Sequence, residues 1–237
     1  MSEPAFSWVS ATTTHTGKVR AVNEDACLSL PRRGLWVVAD GMGGHEAGDV
    51  ASSMIVDSLS DVHAHDNPAD FLDEVEDRLF DVNTNLYETA ANAPVARTIG
   101  STVVALLVMG HHTVVVWAGD SRAYRLRDGE LKKLTIDHSQ VEMMIQTGAL
   151  QPAEAEKHPL ANVITRAVGG TEELYLDVEL REILDGDRYL LCSDGLYKDL
   201  DEAAITRCLG SGDSEAACQA LLDEVLAGEA NDNITAA

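Results

Sequence analysis

Positive charge is what this chain has least of. Its 17 Lys and Arg stand against 40 Asp and Glu, a formal net charge of −23. An excess of that size repels nucleic acid and anionic lipid and argues against general binding to either. An anion handled by this chain must meet a few local positive groups, or a metal. Long apolar runs are also missing. The longest, Val103 to Met109, is strand-sized and far short of the roughly 20 residues of a membrane helix. The N-terminus, MSEPAFSW, has neither the basic nor the apolar region of a secretory signal. Cysteine is sparse: Cys27, Cys192, Cys208 and Cys218 form no C-x-x-C pair and no zinc spacing. Cys192, inside YLLCSDG, reads as a small buried hydrophobe. A reducing, cytoplasmic location is the expectation.

No repeat, low-complexity tract or Pro/Ser-rich linker interrupts the 237 residues, so a single domain over 1–237 is expected. Short runs rich in Val, Leu and aromatics, bounded by Gly, Asp or Asn, predict strands at Leu35–Ala39, Thr102–Met109, Thr113–Ala118, Ala123–Leu126, Leu131–Leu134, Tyr175–Leu180 and Tyr189–Ser193. Asp128-Gly129 is the signal of a tight hairpin, and His111 and His112 fit exposed positions in another. Apolar residues at three- and four-residue steps predict one helix from Ala47 to Val62 and a second from Phe71 to Leu86, the latter opened by Asn67-Pro68. Two more helices fit Glu202–Leu209 and Ser214–Ala227. This order is not the β-α-β-α alternation of a doubly wound fold. It predicts an α+β protein: a four-layer α-β-β-α sandwich, two antiparallel sheets packed face to face and flanked by helix pairs. Residues 138–163, with a short helix and the polar run QPAEAEKHP, read as a surface flap inserted between strands.

Acidic residues recur at strand ends, beside glycine or asparagine. Asp40-Gly41 follows LWVVA, Gly119-Asp120 follows VVVWA, Asp194-Gly195 follows YLLCS, and Asp232-Asn233 precedes ITAA, with Glu24-Asp25 near the N-terminus. One such turn is ordinary; four, plus an acidic pair, suggest a shared rim. Carboxylates gathered there repel one another unless hard divalent cations neutralise them, and Mg²⁺ or Mn²⁺ suit an all-oxygen set. Two such ions about 3.5–4 Å apart generate hydroxide from water at neutral pH and clamp an in-line displacement at phosphorus. Arg20, five residues before Asp25, carries the planar fork that suits a phosphoryl group.

The motifs GKVRAVNEDA, VADGMGGHEAGDVAS, GSTVVALL, WAGDSRAYRLRDG, LTIDHS, ITRAVGG, LLCSDGLYKDL and NDNITA stand in the order of the PPM family. The sequence resembles these metal-dependent type 2C serine/threonine protein phosphatases, and the bacterial members most, from about Gly17 to Ala237. The resemblance implies a β-sandwich between helical layers. It implies hydrolysis of phosphoserine and phosphothreonine on proteins by a hydroxide bridging two divalent metals, Mn²⁺ or Mg²⁺, without a phosphoenzyme. By position, Asp40 bridges both metals, Gly41 offers its carbonyl, and Asp194 and Asp232 complete the first shell. Glu24 and Asp25 serve the second metal, directly or through water. Asp120 with Asp194 resembles the site of a third, weaker ion, and Arg20 grips the phosphate. The catalytic set is thus Arg20, Asp40 and Asp194. The implied setting is a cytoplasmic monomer acting on phosphorylated substrates of a bacterial Ser/Thr kinase, with a role beside a secretion apparatus as a further idea.

Two departures stand out. Animal relatives carry a histidine, assigned as general acid, where this chain has Met42; His45 lies three residues on. Family members also continue in a longer strand after NDN, whereas this sequence stops at ITAA, so a C-terminal tail is expected beyond it. Rival readings are weaker. Cys27 and Arg33 satisfy C-x5-R, but the intervening LSLPR has no glycine, and Pro31 removes a backbone donor from any phosphate cradle. GMGGHE fails a dinucleotide fingerprint at Glu46. A PPM-like domain kept for binding rather than turnover is the remaining alternative.

Overall fold

The computed structural model describes residues 6–43, 47–63, 65, 67–93 and 98–237. Eleven strands form two antiparallel sheets among these residues. One sheet has the order β1 (Thr13–His15), β11 (Ile234–Ala236), β10 (Arg188–Cys192), β7 (Arg122–Arg127) and β8 (Glu130–Lys133). The other runs β2 (Asp25–Leu30), β3 (Leu35–Met42), β5 (Val103–Met109), β6 (His112–Ala118) and β9 (Asp177–Glu182), with the two-residue β4 (Gly100–Ser101) pairing the end of β3.

The alternation along β3 explains the layers. Leu35, Val37 and Ala39 face a core shared with helices α1 (Ala47–Ser60) and α2 (Pro68–Ala91), through Ala51, Ile55, Leu59 and Leu79. Trp36 and Val38 face the opposite way, into the core between the sheets with Val104, Val115, Trp117 and Leu191. Successive side chains of a strand take opposite faces; because both faces are covered, LWVVA is apolar throughout. A third core joins the other sheet to helices α5 (Glu202–Leu209) and α6 (Ser214–Ala227) through Leu190, Ile205, Leu221 and Val225. Three cores separate four layers, as the element order predicts. No helix of the described residues is long and apolar enough to cross a membrane.

The tight hairpin lies at Asp128 and Gly129, whose φ angles of 52° and 80° give the turn that matches strand twist. His111 and His112 sit exposed at the β5–β6 turn. The strand expected at Tyr175–Leu180 starts instead at Asp177 and ends at Glu182, because pairing with β6 sets its register from Trp117↔Asp177 to His112↔Glu182. β1, β2 and β4 go beyond the expected set. So does the four-residue helix α4 (Asp194–Tyr197). Residues 138–163 hold α3 (Gln140–Gln146), capped by Ser139, and a 3-10 helix at Pro152–Lys157. The backbone closes this segment at its base, where Gln140 N–H donates to Val163 and Thr165 N–H to His138.

Candidate active site

The strand ends do converge. Asp25 and Asp40 stand opposite each other in the β2–β3 ladder. Ser193, at the end of β10, donates from Oγ to Oδ2 of Asp25 at 2.7 Å and accepts the N–H of Thr235 at 3.0 Å. One hydroxyl therefore joins the two sheets beneath the acidic rim. Burial pushes the carboxyl of Asp25 up to about 7, against the lowering effect of the Ser193 and Thr235 hydroxyls. Asp40 is held well above the usual carboxylate range by burial first, then by Asp25, Asp194, Asp120 and Asp232. Burial, and next Asp194, raise Asp120 to about 7. The five aspartates the sequence singles out thus form one electrostatic group.

The backbone around Asp40 is fixed by residues of the GSTVV motif. Asp40 N–H donates to Thr102 Oγ1 at 3.1 Å, while its carbonyl accepts from Ser101 Oγ at 3.0 Å and Thr102 N–H at 2.9 Å. Gly41 must lack a side chain, because a Cβ there would collide with the Gly48 carbonyl at the start of α1. Gly41 N–H donates to the Glu24 carbonyl at 3.0 Å, and the Glu24 carboxyl lies against Gly48.

Arg20 sits at the edge, half exposed, with Nη2 2.7 Å from Asp232 Oδ2. That bond and the charge of Asp232, with smaller effects of Glu24 and Asp194, raise the guanidinium pKa. The buried Asn233 organises the Arg20 loop: Oδ1 accepts from Glu24 N–H at 2.8 Å, and Nδ2 donates to the carbonyls of Thr16 and Val22 at 2.9 and 3.0 Å. Asp194 opens α4 and pairs through Oδ2 with Lys198 Nζ at 2.5 Å. Ser193, Asn233 and Lys198 were not singled out from the sequence. Their motifs are visible, but Ser193 and Asn233 find their partners across the fold, and Lys198 also reaches Asn162 in the 138–163 segment.

Among the described residues, no group of three His, Cys, Asp or Glu stands at ligand spacing around one point. Arg20 and Lys198 instead hold Asp232 and Asp194. The donor set nonetheless fits hard divalent cations. It is all oxygen and partly buried, and burial with neighbouring carboxylates raises the pKa of Asp25, Asp40 and Asp120. Mg²⁺ and Mn²⁺ keep several waters and need only one or two carboxylates each from the protein.

The rival sites fail on geometry. The Cys27 thiol is pushed up by burial on β2, the reverse of a nucleophilic thiolate. Arg33 is spent on the carbonyls of Ser60 and Val62. The glycine-rich turn follows a strand of an antiparallel sheet, not the βαβ unit a dinucleotide needs. Met42 lies with its methyl end against Gly100; His45 lies outside the described residues.

Comparison with known proteins agrees with this geometry. A profile described as Protein phosphatase 2C matches residues 14–228. The serine/threonine protein phosphatase PstP of Mycobacterium tuberculosis is 36% identical over 219 residues, 92% of this chain. The chain spans only 42% of that relative's length. The solved structure of PppA, described as a key regulatory component of T6SS in Pseudomonas aeruginosa, matches with a TM-score of 0.89 and 43% identity, over 95% of this chain and 94% of the other. The catalytic domain of PstP in complex with 2 manganese ions matches at a TM-score of 0.86 and 34% identity, over 95% and 94%.

Proposed function

The chain belongs to the protein phosphatase 2C family, and from that premise we propose that it hydrolyses phosphoserine and phosphothreonine on proteins with Mn²⁺ or Mg²⁺ as cofactor. The observation that carries the reading is the single electrostatic group of Asp25, Asp40, Asp120, Asp194 and Asp232, with a guanidinium at its edge. Bound ions supply an acidified water for attack at phosphorus and a clamp on the phosphoryl oxygens.

The chain's own residues divide the remaining work. Asp40, Asp194 and Asp232, with the Gly41 carbonyl, would hold the first ion. Asp40, Asp25 and Glu24 would hold the second, directly or through water. Asp120 with Asp194 is the pair open to a third, weaker ion. Ser193 keeps the Asp25 carboxyl oriented by its hydrogen bond. With Asp232 holding an ion, Arg20 would be free for the substrate phosphate; its planar fork matches two phosphate oxygens. Met42 cannot donate a proton, so the departing serine or threonine oxygen would take its proton from free or ion-held water, or only after it has left. Direct attack by water would leave no phosphoenzyme.

The unit is one PPM-type domain over 1–237, with residues 138–163 as a flap beside the site. A cytoplasmic monomer that reverses a bacterial Ser/Thr kinase is the setting this reading favours. The likeness to PppA, a key regulatory component of T6SS in Pseudomonas aeruginosa, supports a secretion-linked role. The test is release of inorganic phosphate from phosphoserine and phosphothreonine peptides by the chain with Mn²⁺, with Asp40→Asn as control. Turnover by the wild type alone supports the reading. Equal rates in both, or Mn²⁺ binding without turnover, overturn it in favour of another site or a binding domain.

A further inference from the structure

Lys198 is one cation too many for a site built only to hold metals. It lies one residue past α4, whose first residue is Asp194, and its N–H closes on the Asp194 carbonyl at 3.0 Å. That turn folds the side chain back over the rim. Its Nζ reaches Asp194 Oδ2 at 2.5 Å and Asn162 Oδ1 at 2.8 Å. The side chain is about one-third exposed and that of Asp194 less so. Burial opposes the charge of Lys198, yet Asp194 first, then Asp120 and Asp40, outweigh it. The effect is mutual, because Lys198 is the cation that lowers the pKa of Asp120.

Charge arithmetic gives this arrangement a meaning. Fully ionised, as bound cations would keep them, Glu24, Asp25, Asp40, Asp120, Asp194 and Asp232 bring six negative charges, and Arg20 and Lys198 return two. The four that remain match two divalent ions. A third divalent ion at Asp194 and Asp120 exceeds the balance unless the ammonium withdraws. Withdrawal has a structural consequence, because the same ammonium holds Asn162. Asn162 lies at the far end of the 138–163 segment, next to the Val163 carbonyl that closes its base. The other end is tied to the rim as well, where Gly119 N–H donates to His138 Nδ1 at 3.1 Å, beside Asp120.

We propose that Lys198 is a tethered internal cation of the metal centre: its ammonium serves the Asp194–Asp120 pair in place of a further divalent ion, and its bond to Asn162 couples the seating of residues 138–163 to that state. The proposal rests on the metal reading of the site. Lys198 is a positioning residue. It acts on Asp194 and on the segment rather than on the phosphoryl group. A third ion entering at Asp194 must displace it, and the segment then loses its tie to the rim at the Asn162 end while the Gly119–His138 bonds hold the other end.

The test is calorimetric titration of the whole chain with Mn²⁺ alone, for wild type, Lys198→Met and Lys198→Arg, with hydrogen exchange of residues 138–163 followed in parallel. Lys198→Met keeps the length of the side chain and removes the charge. It should tighten a third Mn²⁺ site about tenfold, the scale of one lost charge-assisted hydrogen bond. The double variant Lys198→Met/Asp120→Asn should lose that site again. Lys198→Arg, which keeps the charge, should bind as wild type. Exchange in residues 158–163 should quicken in Lys198→Met. In the wild type it should quicken only at Mn²⁺ concentrations that fill the third site. Two tight ions with an unchanged or weakened third site in Lys198→Met overturn this proposal and leave the metal reading intact. A chain that binds no Mn²⁺, with or without Lys198, overturns the metal reading and this proposal together.

Discussion

Arg20 and Asp232 meet at 2.7 Å between Nη2 and Oδ2, across 212 residues of sequence. On the proposed reading, the pair would set a phosphate-binding group and a metal-binding group against each other until both find their ligands. Arg20→Ala should therefore lower kcat/KM on a phosphopeptide by about 10- to 100-fold, mainly through KM, the scale of one charge-assisted hydrogen bond pair. It should leave Mn²⁺ affinity unchanged or tighter, because Asp232 is released. Lys at this position should restore only part of the loss, since an ammonium cannot grip two oxygens with a planar fork. Weaker Mn²⁺ binding in the Ala variant would remove Arg20 from this role.

Asp40 has a carboxylate where Asn offers a neutral amide of the same shape. Asp40→Asn should lower kcat by at least ~10³, on the order of 4 kcal/mol of transition-state stabilisation. Asp120→Ala should reduce turnover while leaving two tight ions bound. Calorimetry that finds a tight ion lost in the Asp120 variant would contradict this division.

Met42 packs its thioether end beside Gly100 and has no proton to give. General acid catalysis is typically worth ~10²–10⁴-fold and matters most for basic leaving groups. The wild type should therefore favour aryl over alkyl phosphates steeply, when kcat/KM is measured across esters of graded leaving-group pKa. Met42→His should flatten the series by speeding the alkyl members. A flat wild-type series with rate-limiting chemistry would reveal another acid, and His45 would be the first residue to replace.

Stability should show its own pH dependence away from the site. The Asp187 side chain is almost wholly covered and meets Arg127 through Nε and Nη2, both at 2.6 Å. Burial alone would raise its pKa; the Arg127 guanidinium and the Leu184 N–H outweigh burial and bring it below the usual value. A carboxyl depressed by folding stabilises the fold above its unfolded pKa of about 4 and loses that contribution as pH falls through the folded value. Asp187→Asn should cost about 1–3 kcal/mol at pH 7 and progressively less as the pH falls through the folded value. Urea midpoints of both proteins against pH provide the check, and a gap that widens in acid would refute it.

The sequence discloses some levels of this structure better than others. α5 and α6 are found at the expected residues because their apolar stripes and flanking Asp caps are local. The central strands are legible because burial on both faces leaves an unbroken apolar run. β1, with the sequence TTH, has no such run, and β2 is half-buried at all six positions; both depend on partners far along the chain. The acidic rim is readable because Asp40, Asp120, Asp194 and Asp232 each sit beside a turn glycine or asparagine at a strand end. What holds the rim is not. Ser193 reaches Asp25 across 168 residues and Asn233 reaches Glu24 across 209, and no local pattern distinguishes such a serine or asparagine from an ordinary turn residue.

The most direct test of the central claim is phosphothreonine-peptide turnover by chelator-stripped protein as Mn²⁺ is returned. The rate should vanish with EDTA and recover as ions refill the rim of Asp25, Asp40, Asp194 and Asp232, whose small all-oxygen shells bind reversibly. Full turnover after exhaustive chelation would contradict the account.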